Sequence, residues 1–330
     1  MTLHRKRATI PVKAFQRARY GGPEQLELRE IDIPAVKDDQ VLVRVRASSA
    51  NAHDWHMLRG KPYLARLSEG FRRPKTPEIG LDVAGVVEAV GAAVTHLKPG
   101  DQAFGSRFGA YAELVAGKNM MPMPAGLTFE QAAAIPTAGF TALQGLRDKG
   151  QLQPGQRVAI NGAGGGVGTL AVQIARAIGA EVTAVTGPRS LDAVRSLGAD
   201  RVLDYSREDF TREHGRYDLI LDIGGNRRLS DLRRALSSTG RIVMVAPQPG
   251  NWIGPIARIA GATVTTKLGR QPAIPYLAVP NREDLAVLAR MVEAGQLRPV
   301  IERSFSFDQI PDAIRYLESG QVTGKVVITF

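Results

Sequence analysis

The sequence predicts an α/β protein in which a β-rich part is followed by a doubly wound parallel sheet. In the first third, residues 41–46 alternate apolar and polar side chains, as a half-buried antiparallel strand does, and glycine and proline repeatedly interrupt the chain. After Pro136, short apolar strands alternate with helical segments. That alternation is typical of a parallel sheet with helices on both faces.

The elements of the second part follow one another in a regular order. Gly179, Gly198 and Gly240 are the expected stops of three helices. A later amphipathic helix is predicted at residues 284–293 and a final strand at 325–330, which we expect to return to the N-terminal β-rich part. The other predicted strands are residues 157–160, 181–185, 201–203, 219–222, 241–245 and 263–265, and the other helices are 169–178, 191–197 and 230–236.

Composition limits the class of protein. A chain of 330 residues with 44% hydrophobic and 23% charged residues is expected to form about two soluble domains. No apolar run reaches the roughly 18 residues of a membrane span, and no apolar segment of a secretory signal follows the N-terminal basic residues. The chain has no cysteine, which excludes disulfides, thiol catalysis and thiolate-bound zinc. We expect a cytoplasmic protein.

The net charge of +11 raises the question of a polyanionic partner. Six basic residues and no acidic residue fall within the first twenty positions, whereas the other arginines are mixed with Asp and Glu. There is no aromatic interleaving and no nucleic-acid motif. A solvated basic surface is therefore favoured, a nucleic-acid partner is not expected, and an anionic cofactor would benefit from the positive field.

A glycine-rich loop carries the clearest functional signal. Residues 161–168 read Asn-Gly-Ala-Gly-Gly-Gly-Val-Gly and join a buried strand directly to a helix. The spacing G-x-G-x-x-G is met with alanine at its first position, at residues 163, 165 and 168. Such a loop lets the backbone and the helix N-terminus approach a pyrophosphate. The predicted dinucleotide-binding residues of the loop are Gly164, Gly165, Gly166, Val167 and Gly168.

The end of the second strand of the parallel sheet indicates which dinucleotide is bound. NAD sites place a carboxylate there, but Thr186 is followed by Gly-Pro-Arg-Ser, and Asp192 lies too far along. The Arg189 guanidinium suits a 2′-phosphate in geometry and charge, which favours NADP(H). The alternative is that Arg189 is a solvated residue near a helix start.

The chain resembles the medium-chain dehydrogenase/reductase superfamily, in its zinc-independent quinone oxidoreductase branch, the relatives of zeta-crystallin. The resemblance covers nearly the whole chain and rests on the glycine loop and on the motifs at residues 51–54, 80–85, 98–101, 197–200 and 324–325. It implies a GroES-like catalytic domain formed by residues 1–136 and 281–330, a Rossmann NADP-binding domain formed by residues 137–280, and a homodimer.

The resemblance also bears on metal binding. Zinc-dependent relatives place a cysteine where Asn51 stands and a His-Glu pair where Leu81 and Asp82 stand. His53 and His56 have a tempting spacing, but no third ligand cluster accompanies them. No metal site is expected.

The resemblance suggests three catalytic candidates. It places Asn51 beside the nicotinamide, where its amide either donates to the substrate, orients the ring or only caps a turn. His56 falls where zinc-dependent relatives carry a proton-relay histidine and quinone reductases a tyrosine near the cofactor. It is either a proton source, as an imidazole with a pKa of about 6.5 allows, or a surface or core histidine with no catalytic role. Tyr63 either lines the acceptor pocket or donates a proton. If solvent supplies the proton, no residue is needed for acid–base catalysis, and Asp54 is expected to fix the local backbone.

Four further cofactor contacts follow from the same correspondence. They are Thr141 near the nicotinamide ribose, Tyr205 near the adenosine, Ala246 at the nicotinamide edge and Lys325 near the phosphates. The sequence thus predicts an NADPH-dependent reductase of quinones or of α,β-unsaturated carbonyl compounds, with a small-molecule hydride acceptor. A metal-free alcohol or aldehyde dehydrogenase and a non-enzymatic NADPH-binding scaffold remain the alternatives.

Overall fold

The computed structural model describes residues 11–63, 66–245 and 271–330. The predicted strand at 263–265 and the predicted contact residue Ala246 lie outside these described residues. Three sheets are formed within them: a two-stranded hairpin, a seven-stranded sheet and a six-stranded sheet.

The N-terminal part is mainly antiparallel. An antiparallel hairpin pairs β1 with β2, and the seven-stranded sheet has the order β14-β15-β3-β4-β5-β7, with β6 also paired to β3. The strands are β1 (Val12–Arg17), β2 (Leu26–Ile31), β3 (Val41–Ala50), β4 (Asp82–Val90), β5 (Gln102–Ser106), β6 (Leu114–Gly117), β7 (Met120–Pro122), β14 (Ile301–Ser306) and β15 (Lys325–Thr329).

The second part is the predicted parallel sheet. Its strand order is β10-β9-β8-β11-β12-β13, and all neighbours are parallel. The strands are β8 (Arg157–Asn161), β9 (Glu181–Thr186), β10 (Arg201–Asp204), β11 (Tyr217–Asp222), β12 (Leu236–Met244) and β13 (Ala273–Pro275). Val158 and Ile160 belong to one buried core, and Ala159 belongs to a second with Leu232. The sheet is therefore covered on both faces, which confirms the doubly wound architecture.

Helices connect the strands. They are α1 (Ala52–Arg59), α2 (Arg66–Glu69), α3 (Phe129–Ala133), α4 (Pro136–Leu143), α5 (Gly166–Ile178), α6 (Leu191–Ser196), α7 (Leu229–Ala235), α8 (Arg282–Glu293) and α9 (Ile310–Glu318), and a π-helical turn (Gln144–Lys149) extends α4. Helix α5 begins three residues before its predicted start, because its glycine-rich first turn carries no apolar periodicity. The predicted helix ending at Leu236 is one residue too long, since Leu236 pairs with Tyr217 as the start of β12.

The last strand returns to the first sheet, as expected. β15 lies between β14 and β3, with Val326 opposite Ala50. Just before it, the Gly324 N–H donates to the Gly164 carbonyl at 2.8 Å, which joins the C-terminal segment to the glycine loop. The strands of the seven-stranded sheet all lie outside residues 137–280, and those of the parallel sheet lie inside that range. The domain boundaries themselves stay predictions. Of the helices that are described, none has the length and apolarity to cross a bilayer.

Candidate active site

The glycine loop leaves backbone donors open at the start of α5. Strand β8 ends at Asn161, and α5 begins at Gly166 with Gly165 as its N-cap in extended conformation. No side chain of the described residues caps this end. The N–H groups of Gly166, Val167 and Gly168 therefore have no acceptor within the helix, and the helix dipole adds positive potential there.

The glycines of this loop are of two kinds: Gly164 and Gly168 are tightly packed against the protein, and Gly165 faces open space. A Cβ at Gly168 would lie 2.2 Å from the Gly162 carbonyl oxygen, and one at Gly164 would lie 2.3 Å from Thr186 Oγ1. A Cβ at Gly165, in contrast, would meet only the Gly162 oxygen, at 3.8 Å. Larger residues at Gly164 or Gly168 would displace the loop, whereas the space beside Gly165 is free for a ligand.

The loop also stands at the position where the sheet topology favours ligands. From β8 the chain adds β9 and β10 on one side, and it then returns to add β11 on the other side of β8. Ligands of open α/β sheets bind at such a switch point, beyond the carboxyl ends of the strands. Asn161 and Asp222 end the two strands and are held together by an Asn161 Nδ2–H donated to Asp222 Oδ1 at 2.7 Å.

The residues predicted for the adenosine end lie around Gly187. Arg189 lies in a 3-10 turn (Pro188–Ser190), with its side chain 61% exposed. Its Nη1 donates to Gln321 Oε1 at 3.1 Å, and its Nη2 lies 3.7 Å from Glu302 Oε1. The Tyr205 hydroxyl would lie 2.9 Å from a Cβ at Gly187. The structure thus brings these two predicted residues to the same edge of the loop.

Lys325 is placed differently from its prediction as a phosphate ligand. Its aliphatic chain covers the loop, since a Cβ at Gly166 would lie 2.7 Å from Lys325 Cδ. Its ammonium group extends past the loop and donates to Asn51 Oδ1 at 2.6 Å. Only 4% of the side chain is exposed. The ammonium therefore belongs to a buried polar cluster in the β-rich part, and its methylenes, not its charge, line the glycine loop.

The centre of this cluster is Asp82, which the sequence indicated only as a lost metal ligand. Its Oδ2 accepts from Ser49 Oγ at 2.5 Å and from Asn51 Nδ2 at 2.9 Å, and it lies 3.4 Å from Lys325 Nζ. Its Oδ1 accepts from the Thr137 N–H at 2.8 Å and from Thr137 Oγ1 at 2.6 Å. Asp82 thus holds β3, the start of α4 and the start of β15 together. The sequence signal that could have identified Asp82 as a site residue is its position in the motif at residues 80–85.

The amide orientation of Asn51 follows from its partners. Lys325 only donates and the Asp82 carboxylate only accepts, so Oδ1 must face the ammonium and Nδ2 the carboxylate. The second Nδ2 hydrogen goes to the Ser49 carbonyl at 3.2 Å. Both amide hydrogens are used inside the protein, and this geometry disfavours the predicted donation from Asn51 to a substrate.

Asp54 fixes the start of α1. Its Oδ2 accepts from the Asn51 N–H at 2.8 Å and from the Tyr111 hydroxyl at 2.8 Å. Burial raises the pKa of Asp54 to about 7, because the charged form is poorly solvated there. The expectation that Asp54 orders the local backbone agrees with these contacts.

The other candidates have hydrogen-bond or ring partners of their own. His56 Nδ1 lies 3.1 Å from the Lys61 carbonyl, so the ring donates there and Nε2 is left as an acceptor. Burial lowers the pKa of His56, so the ring is neutral at pH 7 and is a poor proton source. The Tyr63 ring lies under the Arg66 guanidinium, 4.6 Å from it. Thr141 Oγ1 donates to the Thr137 carbonyl at 2.7 Å.

Metal ligands do not converge in the described part of the chain. Residues 11–63, 66–245 and 271–330 contain no group of three His, Cys, Asp or Glu side chains that could hold an ion. In the histidine pair at residues 53 and 56, His56 uses Nδ1 for the Lys61 carbonyl and stacks on Trp55 with ring centres 3.6 Å apart.

Comparisons with known proteins agree with this architecture. The family model described as alcohol dehydrogenase GroES-like domain matches residues 37–125, and the model described as zinc-binding dehydrogenase matches residues 197–328. The chain is 33% identical to the 2-methylene-furan-3-one reductase of Solanum lycopersicum, over 96% of this chain and 79% of that protein. The chain belongs to the medium-chain dehydrogenase/reductase superfamily, in its quinone oxidoreductase branch. It is an oxidoreductase.

Two further members of the superfamily extend the comparison. The NADPH-dependent alkenal/one oxidoreductase of Arabidopsis thaliana, a chloroplastic protein, is 32% identical over 97% of this chain and 81% of its own length. The solved structure of the quinone oxidoreductase from Coxiella burnetii is 29% identical, with a TM-score of 0.81 over 97% of this chain and 99% of that chain. The GroES-like and Rossmann fold predicted from the sequence is confirmed.

Proposed function

We propose that this protein is an NADPH-dependent, zinc-independent reductase that transfers hydride to a quinone or to an α,β-unsaturated carbonyl compound. The observation that carries the proposal is the path of Lys325. This single side chain runs from the glycine loop at Gly166 to the buried cluster of Asn51 and Asp82. A dinucleotide held at the loop would therefore have its reactive end at a buried polar site.

The residues present fit NADPH. The open space beside Gly165 and the N–H groups of Gly166, Val167 and Gly168 would hold the pyrophosphate. Arg189, exposed beside the loop, would pair with the 2′-phosphate, and Tyr205 would lie against the adenosine. Thr141 would lie near the nicotinamide ribose. When bound, the cofactor supplies a hydride, and the protein supplies its position and electrostatic environment.

The names of the relatives support the choice of acceptor. The tomato relative is named as a furanone reductase, the Arabidopsis relative as an NADPH-dependent alkenal/one oxidoreductase, and the Coxiella structure as a quinone oxidoreductase. These acceptors share a carbonyl conjugated to a C=C bond. Hydride added to such a system places negative charge on the carbonyl oxygen, and a proton completes the reduction.

The chain's own residues have two tasks in this reaction. The glycine loop positions the donor, and the buried cluster presents a fixed polar surface. The neutral His56 ring and the internally bonded Asn51 amide offer no proton to the product. We therefore propose that solvent supplies the proton that completes each turnover.

The donor set of the cluster supports zinc independence. The oxygens that a metal ion would require, Asn51 Oδ1 and Asp82 Oδ2, both face the Lys325 ammonium. A divalent cation in that place would have to displace a buried cation and would leave it without its acceptors. The family model's description mentions zinc binding, but the chain has no cysteine, and the described residues hold no group of three side chains that could ligate a metal ion.

One turnover experiment tests the proposal. The loss of NADPH absorbance is followed with a quinone, an α,β-unsaturated ketone and a simple aldehyde, each over a range of concentrations. We expect turnover with the first two and little with the aldehyde. Turnover of the aldehyde alone would favour the alcohol or aldehyde dehydrogenase alternative, and NADPH binding without any turnover would favour the scaffold alternative.

A homodimer is part of the proposal. Strand β13 is the outermost described strand of the parallel sheet, and Leu277, which follows it, is 86% exposed. Exposed apolar residues next to the outermost described strand support pairing with a second copy. Light scattering coupled to gel filtration should give twice the 35.5 kDa of one chain. A monomer at micromolar concentration would contradict it.

A further inference from the structure

The ammonium group of Lys325 lies in the buried cluster of Asn51 and Asp82 and not at the glycine loop. Its methylene chain packs over Gly166, but its Nζ extends to Asn51 Oδ1 at 2.6 Å and lies 3.4 Å from Asp82 Oδ2. Only 4% of the side chain is exposed. Burial of an ammonium carries a desolvation penalty, so an apolar side chain would cover the glycine loop at less cost.

The hydrogen bonds of this ammonium are incomplete. It has three N–H groups, and the described residues provide two acceptors, one of them at a long distance. The shorter contact is to a neutral amide oxygen. The Asp82 carboxylate is shared among four other donor contacts from Ser49, Asn51 and Thr137. Lys325 therefore keeps one N–H and much of its positive charge available for a further acceptor.

No equivalent donor is offered by its neighbours in the cluster. Both amide hydrogens of Asn51 are used by Ser49 and Asp82, and the Ser49 hydroxyl donates to Asp82. The Thr137 hydroxyl also donates to Asp82. Asp82 thus takes short hydrogen bonds from the neutral donors and makes only a 3.4 Å contact with the cationic one. Such an arrangement is preorganised for a negatively charged oxygen.

We propose that the Lys325 ammonium donates a hydrogen bond to the carbonyl oxygen of the hydride acceptor and stabilises the negative charge that develops there. This inference rests on the proposed function. The hydride leaves NADPH, which is thereby oxidised to NADP⁺, and forms a C–H bond at the β-carbon of an enone. The C=C electron pair moves so that the C=O oxygen becomes an enolate oxygen. Lys325 holds this oxygen without losing its proton. A proton from solvent then adds to the α-carbon and restores the C=O bond.

Quinone reduction also forms a negatively charged oxygen that a hydrogen-bond donor can stabilise. Hydride addition to one quinone oxygen leaves the other oxygen as a phenolate, which accepts a hydrogen bond from Lys325 until a solvent proton produces the hydroquinone. In a buried site, such a fixed donor is worth much more than it is in water, because the oxyanion has few other partners. Asn51 and Asp82 are positioning residues in this account, since they hold the ammonium and do not touch the acceptor.

The first test is Lys325→Met, which keeps a chain long enough to cover Gly166 but removes the charge. Loss of one oxyanion donor typically lowers kcat by about 10²- to 10³-fold, and we expect that loss at saturating NADPH with both a quinone and an enone. The NADPH dissociation constant, titrated by fluorescence, should change by less than about threefold, since the methylenes and not the charge adjoin the loop. Lys98→Met, at an exposed lysine, serves as the control and should keep wild-type kcat.

The lack of cysteine in this chain allows a second, decisive test. Lys325→Cys is alkylated in the unfolded state either with 2-bromoethylamine, which rebuilds a lysine-length ammonium, or with 2-bromoethanol, which gives a neutral chain of the same length. Both products and the wild type are refolded together. We expect the ammonium form to recover kcat to within about tenfold of the refolded wild type, and the neutral form to stay as low as Lys325→Met.

Three outcomes would overturn the inference. They are equal kcat for the ammonium and neutral forms, wild-type kcat for Lys325→Met, or a loss in Lys325→Met that lies in NADPH affinity and disappears at saturation. The last would make Lys325 a phosphate ligand. A failure of the proposed function is distinct from all three, because the wild type itself would then turn over neither acceptor.

Discussion

Arg189→Ala tests whether the protein distinguishes NADPH from NADH through one guanidinium. A hydrogen bond to a charged group contributes about 1.5–3 kcal/mol. The Arg189 side chain is 61% exposed and must give up its contacts with Gln321 and Glu302. We therefore expect its interaction with the 2′-phosphate to contribute about 1–2 kcal/mol to the binding free energy of NADPH. Because 1.4 kcal/mol is a factor of ten, the NADPH dissociation constant should rise about 5- to 30-fold.

The assay is a fluorescence or calorimetric titration of wild type and variant with NADPH and with NADH. The NADH dissociation constant should stay unchanged, because NADH has no phosphate for the guanidinium. Arg195→Ala is a matched control: Arg195 is 58% exposed and pairs with Asp192 at 2.7 Å in the next helix. It should leave both constants unchanged. Equal losses for the two cofactors in Arg189→Ala would refute the assignment of Arg189.

Three further predictions concern the adenosine contact, the buried carboxyl and the metal. Tyr205→Ala should raise the NADPH dissociation constant about 5- to 150-fold, since stacking of one base contributes about 1–3 kcal/mol, and Tyr205→Phe should keep it; equal losses in both variants would argue against stacking. Burial raises the pKa of Asp54 to about 7, so the folded state binds more protons than the unfolded chain between about pH 4 and 7 and loses stability as the pH rises through that window. In urea unfolding, the free energy of unfolding should fall less from pH 5 to pH 8 in Asp54→Asn than in wild type. An equal fall in the two proteins would contradict the raised pKa. Exhaustive chelation should leave quinone reduction intact, whereas a loss that zinc restores would exclude zinc independence.

The glycine loop and the parallel sheet could be predicted because their signals are local in sequence. The spacing of Gly165 and Gly168 follows directly after a buried strand, and each strand shows its own apolar run. The first turn of α5 was missed only because glycine has no apolar side chain to reveal it.

The buried cluster could not be predicted in the same way. Asn51 and Lys325 are 274 residues apart in the chain, and only the return of β15 to β3 brings them together. A long flexible lysine near a phosphate loop is expected to reach the phosphates, but here its ammonium contacts Asn51 and Asp82, which come from two other segments. Likewise, His56 has an ordinary sequence environment, and its low pKa arises from burial in the folded protein.

The central claim is that the backbone amides at the start of α5 hold a pyrophosphate, and Gly165→Asp tests it most directly. Gly165 is an N-cap with φ −81° and free space beside it, so aspartate should fit and cap the helix at least as well as glycine. Its carboxylate would stand where the pyrophosphate binds, and two like charges about 4 Å apart near a protein surface repel by about 4 kcal/mol.

We therefore expect the melting temperature of Gly165→Asp to equal or exceed that of the wild type, while its NADPH dissociation constant rises at least about 100-fold. The neutral N-cap variant Gly165→Ser should lose far less affinity. If the aspartate variant binds NADPH as the wild type does, or if the wild type gives no saturable binding, the phosphate does not lie at this helix end and the account is wrong.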